Sequence, residues 1–190
     1  MKHVKLYEAF SASTFPTEDQ IEWLNSCIKG SWNINPSTGL IDVDGDFSCV
    51  QQDLTDFKGV RFGHVNGYFY CYHNQLTSLV GAPQKVGGDF YCDNNQLTSL
   101  EGAPQTVSHF YCSDNPASKK TLASIFALMQ KGKSYQQALE EYWPNMDDKD
   151  RVLMYKDLKD LTPEEIRRYE ALTTVNRMKQ KWFQIKKNYL

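Results

Sequence analysis

Residues 66–86 read NGYFYCYHNQLTSLVGAPQKV, and residues 87–107 say nearly the same thing again, GGDFYCDNNQLTSLEGAPQTV. A weaker copy precedes them at 44–65 (DGDFSCVQQDLTDFKGVRFGHV), and a truncated one follows at 108–115 (SHFYCSDN). Their cysteines, Cys49, Cys71, Cys92 and Cys112, are spaced by 22, 21 and 20 residues. Self-similarity at that period is the mark of a solenoid, in which each unit buries its apolar face against the next. The expected fold class is therefore an α/β repeat solenoid with short coils and a parallel β-sheet, a helical N-terminal cap and an α-helical C-terminal region.

Within each copy a phenylalanine and a cysteine stand two apart: Phe47/Cys49, Phe69/Cys71, Phe90/Cys92 and Phe110/Cys112. That spacing puts both on one side of a short strand. Three residues after the last three cysteines comes an asparagine (Asn74, Asn95, Asn115), with Gln52 in the first copy. Leu54, Leu76 and Leu97 follow, then Phe57, Leu79 and Leu100. The asparagine amide is suited to satisfying backbone groups where the chain leaves the strand. Gly81–Pro83 and Gly102–Pro104 signal a tight or extended return rather than a helix. The resulting string, F-x-C-x-x-N-x-L-x-x-L, resembles the leucine-rich repeat, with phenylalanine and cysteine in place of two leucines.

The chain divides into three parts: an arm, capping helix and hairpin over 1–43, the repeats over 44–117, and a helical region over 118–190. In the arm, Val4, Leu6 and Phe10 are the candidate anchors. Thr17-Glu18-Asp19-Gln20 is a capping box for a helix reaching about Lys29 and ended by Gly30. Trp32–Ile34 and Leu40–Val43 alternate about residues 35–39 as a hairpin, which would cover the first open edge of the repeats. After Asn115, Ser118 opens a helix to about Lys131, Ser134 another to Trp143, and a third spans about 149–158. A last helix starts at Thr162-Pro163 and extends toward Asn188, with Ile166, Tyr169, Leu172, Met178, Trp182 and Ile185 as its apolar stripe.

The formal net charge is −2, which gives no overall bias toward nucleic acid. The charge is unevenly placed, however. Residues 39–117 hold nine acids against three bases, and residues 176–190 hold five bases and no acids. No apolar run has the length of a membrane span, and the opening MKHVKLYEAF lacks the apolar core of a secretory signal. Four of five cysteines take equivalent inward positions and Cys27 falls in a helix, so buried free thiols in a reducing cytoplasm are expected.

Catalytic patterns are weak. Gly132-Lys133-Ser134 ends like a phosphate-binding loop, but Ala127 stands where its first glycine belongs, and a helix precedes it; it reads as a linker between helices. Asp42, Asp44 and Asp46 are spaced like calcium ligands, but Phe47 stands where that loop needs glycine; an acidic turn entering the first repeat is expected instead. His3, His64, His73 and His109 have no metal-ligand spacing. No enzyme activity, cofactor or metal is expected.

The residues between the ladder positions should face solvent. Of these, Tyr68, Tyr70, Tyr72, Asp89, Tyr91, Asp93, His109 and Tyr111 form the candidate partner-binding set. Tyr70, Tyr91 and Tyr111 would align in a column, with Tyr68 and Tyr72 beside it. Exposed tyrosine offers wide contact area and a polar tip at little entropic cost; cross-strand stacking for sheet stability is the competing account. A second candidate surface is the basic set Arg177, Lys179, Lys181, Lys186 and Lys187, interleaved with Trp182 and Phe183, which could meet nucleic acid; packing on the preceding helices is its alternative.

The segments WNINPSTGLIDVDGDFSC, YCYHNQLTSLVGAP and YCDNNQLTSLEGAP resemble leucine-rich-repeat proteins of tailed bacteriophages, and MKHVKLYEAF resembles a common start among proteins of large tailed phages. The resemblance covers about residues 32–116. It implies a recognition scaffold and no reaction. Effector ubiquitin ligases with similar repeats use a downstream cysteine, and nothing after Cys112 supplies one. The expected function is a non-enzymatic protein-binding module, encoded by a phage and directed at a host or defence protein in the bacterial cytoplasm. A virion or assembly component, and a nucleic-acid binder acting through the C-terminal helix, are the alternatives.

Overall fold

In a computed structural model, residues 16–158 and 161–172 are described. They form an α/β fold whose centre is a seven-stranded, mostly parallel sheet: β5 (Lys85–Val86), β3 (Phe62–Val65), β2 (Ile41–Ser48), β4 (Phe69–Tyr70), β6 (Phe90–Tyr91) and β7 (Phe110–Tyr111) lie in that order, and β1 (Ile28–Ile34) runs antiparallel to β2. The helix α1 (Glu18–Cys27) opens with the expected capping box: Thr17 Oγ1 accepts from Gln20 N at 3.3 Å, and Gln20 Oε1 accepts from Thr17 N at 2.9 Å. Trp23, Leu24 and Cys27 are its buried side chains.

The end of α1 corrects the sequence reading. The helix stops at Cys27, and β1 (Ile28–Ile34) begins at the next residue. Gly30 is a strand residue, not a helix terminator. It pairs with Gly45 of β2 (Ile41–Ser48), and a Cβ at either glycine would run into the backbone carbonyl of the facing strand, Asp44 or Lys29. Close approach of two backbones explains both glycines. The acidic segment is likewise not a turn. Asp42, Asp44 and Asp46 lie in β2, because Ile41, Val43 and Phe47 alternate with them and are buried. Their carboxylates reach the following copy: Asp42 Oδ1 accepts from His64 N at 2.8 Å and Asp46 Oδ1 from Tyr68 N at 2.8 Å.

From β2 onward, equivalent residues of successive copies lie side by side in parallel register. Phe47 pairs with Phe69 of β4 (Phe69–Tyr70), Phe69 with Phe90 of β6 (Phe90–Tyr91), and Phe90 with Phe110 of β7 (Phe110–Tyr111). The phenylalanine rings stack at 4.7, 5.0 and 5.5 Å. All four ladder cysteines are buried, as are Leu76, Leu79, Leu97 and Leu100. The asparagines do what their position suggested. Asn95 donates to the carbonyls of Cys71 (2.9 Å) and Cys92 (3.2 Å) and accepts from Leu76 N at 3.0 Å; Asn74 and Asn115 make the equivalent bonds. In the first copy Gln52 instead accepts from Trp23 Nε1 at 2.7 Å, which ties that copy to α1.

A second ladder was not foreseen. The N-terminal half of β2 pairs with β3 (Phe62–Val65), β3 pairs with β5 (Lys85–Val86), and Lys85 bridges to Thr106. The copy at 66–86 thus contributes two short strands, β4 and β5, and the copy at 87–107 contributes β6 and the bridging Thr106. The segments RFGHV, QKV and QTV share little beyond one inward valine, so they carry no repeated signature.

The last copy is followed by α2 (Lys119–Met129), α3 (Tyr135–Tyr142) and α4 (Asp148–Met154), with single 3-10 turns at Trp143–Asn145 and Tyr155–Asp157. Phe126 of α2 stacks on Phe110 at 4.0 Å and so continues the phenylalanine column. The fully buried Asp150 accepts from Ser118 N (3.0 Å) and Ser118 Oγ (2.6 Å), joining α4 to the start of α2. Gly132-Lys133-Ser134 is a helix linker: Ser134 caps α3, and Lys133 Nζ lies 2.9 Å from Glu141 Oε2. Residues 163–172 are helical. Tyr169 is buried there against Tyr155 and Trp143, whereas Ile166, expected on the apolar stripe, is 37% exposed. Among the described residues, Trp143 and Tyr155 pack on the Tyr169 side of this turn, which leaves Ile166 off the stripe. His3, the arm anchors Val4, Leu6 and Phe10, and Met178, Trp182 and Ile185 lie outside the described residues.

Candidate functional site

The eight residues of the candidate partner-binding set lie together on one side of the β4-β6-β7 ladder, opposite the buried phenylalanines and cysteines. Strand alternation dictates this: Phe69 and Cys71 turn inward, so Tyr68, Tyr70 and Tyr72 cannot. Tyr70 stacks on Tyr91 at 5.1 Å, and Tyr91 on Tyr111 at 4.5 Å, with interplanar angles of 20° and 7°. Tyr68 extends the stack from Tyr70 at 5.8 Å, and Tyr72 meets Tyr70 edge-on at 6.3 Å. Tyr68 and Tyr111, at the two ends, are the exposed members, at 42% and 41%.

A short polar network joins this stack. Asp89 receives Tyr91 Oη at 3.2 Å on one carboxylate oxygen, and its other oxygen lies 2.8 Å from His109 Nδ1. Asp93 is engaged by the backbone, accepting from Ser113 N at 2.7 Å. Tyr91's phenol is pushed up to about 12 by desolvation first, then by its bond to Asp89 and that carboxylate's charge. Tyr70 is raised as well, by desolvation and then by the Asp46 charge. Both phenols keep their protons across the physiological range, and Tyr91 spends its proton as a donor to Asp89. Among the described residues, the hydroxyls of Tyr68, Tyr70, Tyr72 and Tyr111 have no hydrogen-bond partner.

Asp46, which the alternation places on the same outward side as the tyrosines, has a role the sequence did not show: it holds the backbone of Tyr68. Gly88 was missed altogether. It leaves room for the Tyr68 ring, since a Cβ there would stand 2.9 Å from Tyr68 Cδ1. The available signal was the small residue opening the copies, Gly67 in one and Gly87-Gly88 in the next. The basic set, Arg177, Lys179, Lys181, Lys186 and Lys187, together with Trp182 and Phe183, lies outside the described residues. No group of acidic, histidine or cysteine side chains able to hold a metal ion occurs among the described residues. None of their helices is long and apolar enough to cross a membrane. Compared with known proteins, the chain matches no family model, no curated protein and no solved structure.

Proposed function

We propose that the stacked copies form a short leucine-rich-repeat solenoid, and that its tyrosine-bearing concave face binds another protein without catalysing a reaction. The supporting observation is the row of phenols itself: rings held in a rigid stack, outer edges in solvent and most hydroxyls unspent. A surface assembled only for sheet stability has no need of open polar tips, whereas a binding surface gains area and hydrogen bonds from them at small entropic cost. The surrounding acids favour a partner surface that is neutral to basic, and they disfavour a phosphate backbone. The resemblance to repeat proteins of tailed phages is the ground for proposing a host or defence protein as the target, and the bacterial cytoplasm as the place.

The test is capture from host lysate with the wild-type chain and with Tyr70→Ala/Tyr91→Ala/Tyr111→Ala, after circular dichroism shows that both are folded. The expected result is a partner retained by the first and lost by the second. A folded triple variant that keeps every partner would overturn the reading.

A further inference from the structure

The first strand of the sheet is left with an open edge. On β2, Ile41 and Phe47 turn their N–H groups toward the following copy, donating to Arg61 O and Tyr68 O. Backbone polarity alternates along a strand, so the even-numbered residues of β2 face β1. In the observed register they meet Lys29, Ser31 and Asn33, and Asn35 N, which donates to Leu40 O at 2.8 Å, continues the pattern. Gly30, Trp32 and Ile34 turn their N–H and C=O groups the other way, where no described residue meets them. Gly30 is exposed, and Trp32 and Ile34 are only half-buried. From 30 to 34 the strand has no charge, no proline and no break in register, the features that blunt such an edge.

From these features we infer that β1 is a dimer interface, which pairs antiparallel with β1 of a second copy of this chain about a two-fold axis through Trp32. Trp32 meets Trp32 of the partner subunit, and Gly30 meets Ile34 of the partner subunit. This register uses every open group, with two hydrogen bonds at each of three residue pairs. The neighbouring registers do not. Shifted one way, Ile28 enters a bonding position, but its N–H is already given to Leu24 O. Shifted the other way, Pro36 enters one, and it has no N–H. The edge is also complementary to itself in charge. Lys29, the one charged residue of β1, falls opposite Asn35 of the partner subunit, so no like charges face each other. A two-fold axis normal to the sheet keeps inward sides together, so Trp32 and Ile34 of both copies gain cover. It also turns the two tyrosine faces the same way, making a bivalent surface of the face proposed above. The pairing itself does not depend on that reading. One strand pair is a small interface, so association at about 10–100 µM is expected.

The experiment follows the full chain from about 1 to about 300 µM by sedimentation and amide hydrogen exchange. The expected result is a monomer–dimer equilibrium in which the Gly30, Trp32 and Ile34 amides slow at least about threefold across that range. Ser31 and Asn33, already bonded to β2, should change less. Ser31→Lys/Asn33→Lys sets lysine against lysine across the axis, while Asp44 and Asp42 beside them on β2 preserve the fold. It should raise the dissociation constant at least about tenfold with an unchanged circular dichroism spectrum. Tyr70→Ala should dimerise like the wild type while losing the lysate partner, so the two readings fail separately. A monomer throughout the range, which leaves the edge to a different protein, overturns the inference. So does a dimer in which the three amides stay fast, or a folded lysine variant that dimerises like the wild type. Slow exchange at these amides whatever the concentration means that the chain covers its own edge, and overturns it as well.

Discussion

Asn95 shows how much one side chain can carry in a chain that repeats. Its amide touches four backbone groups from two copies, and only 2% of the residue is exposed. Asn95→Ala would leave the buried Leu76 N–H without an acceptor, so a loss of about 1–3 kcal/mol is expected by urea titration. Gln96→Ala, one residue on and exposed, should stay within about 0.5 kcal/mol. Equal effects would contradict the register. A neighbouring regularity escaped the sequence reading: the second residue after each ladder cysteine, Gln51, His73, Asn94 and Asp114, has a positive φ between 52° and 57°. None of these is β-branched, as a left-handed backbone requires, but four different polar residues do not look like a motif.

Among the elements, the β1-β2 hairpin protects everything after it. Its seven-residue register depends on Gly30 and Gly45 passing each other without side chains. Gly45→Ala should therefore cost more than about 2 kcal/mol, because the new methyl meets backbone rather than a mobile side chain. Gly39→Ala, in the hairpin loop with open space around it, should cost about 1 kcal/mol from its positive φ alone. Thermal unfolding of the two variants, side by side, checks this; comparable Tm values would sink it. The helix was legible because Thr17 and Gln20 form a capping box. Its last turn was misread because Gly30 after a helical run looks like a stop, and only the facing Gly45 explains it.

For the molecule as a whole, the buried thiols set a pH dependence. Burial pushes all four ladder cysteines above the ordinary thiol value of 9.0, Cys112 to about 11. Above pH 9 the unfolded chain sheds thiol protons that the folded chain keeps, so the unfolded state binds fewer protons and stability falls as pH rises. The stabilisation is complete below pH 9 and is lost progressively toward pH 11 and beyond, with Tyr91 adding to the decline between about 10 and 12. Tm should drop steadily from pH 9 to 11, and Cys49→Ala/Cys92→Ala should flatten that slope. Buried thiols should also resist a disulfide reagent until the chain unfolds; rapid reaction of the native protein would refute the burial.

Periodicity alone carried the interior. Residues recurring every 20 to 22 positions with Phe and Cys two apart must share one side of a strand, and the tyrosines between them must take the other. Helix starts were equally local, since Thr17, Ser118 and Ser134 cap with their own side chains. What tertiary structure alone decided was contact between segments that share no pattern: β3 with β5, Gly30 against Gly45, Asp150 beneath Ser118, Phe126 on Phe110. Those contacts join residues about 15 to 32 positions apart, and their partners are set by where the chain returns, not by any residue's neighbours.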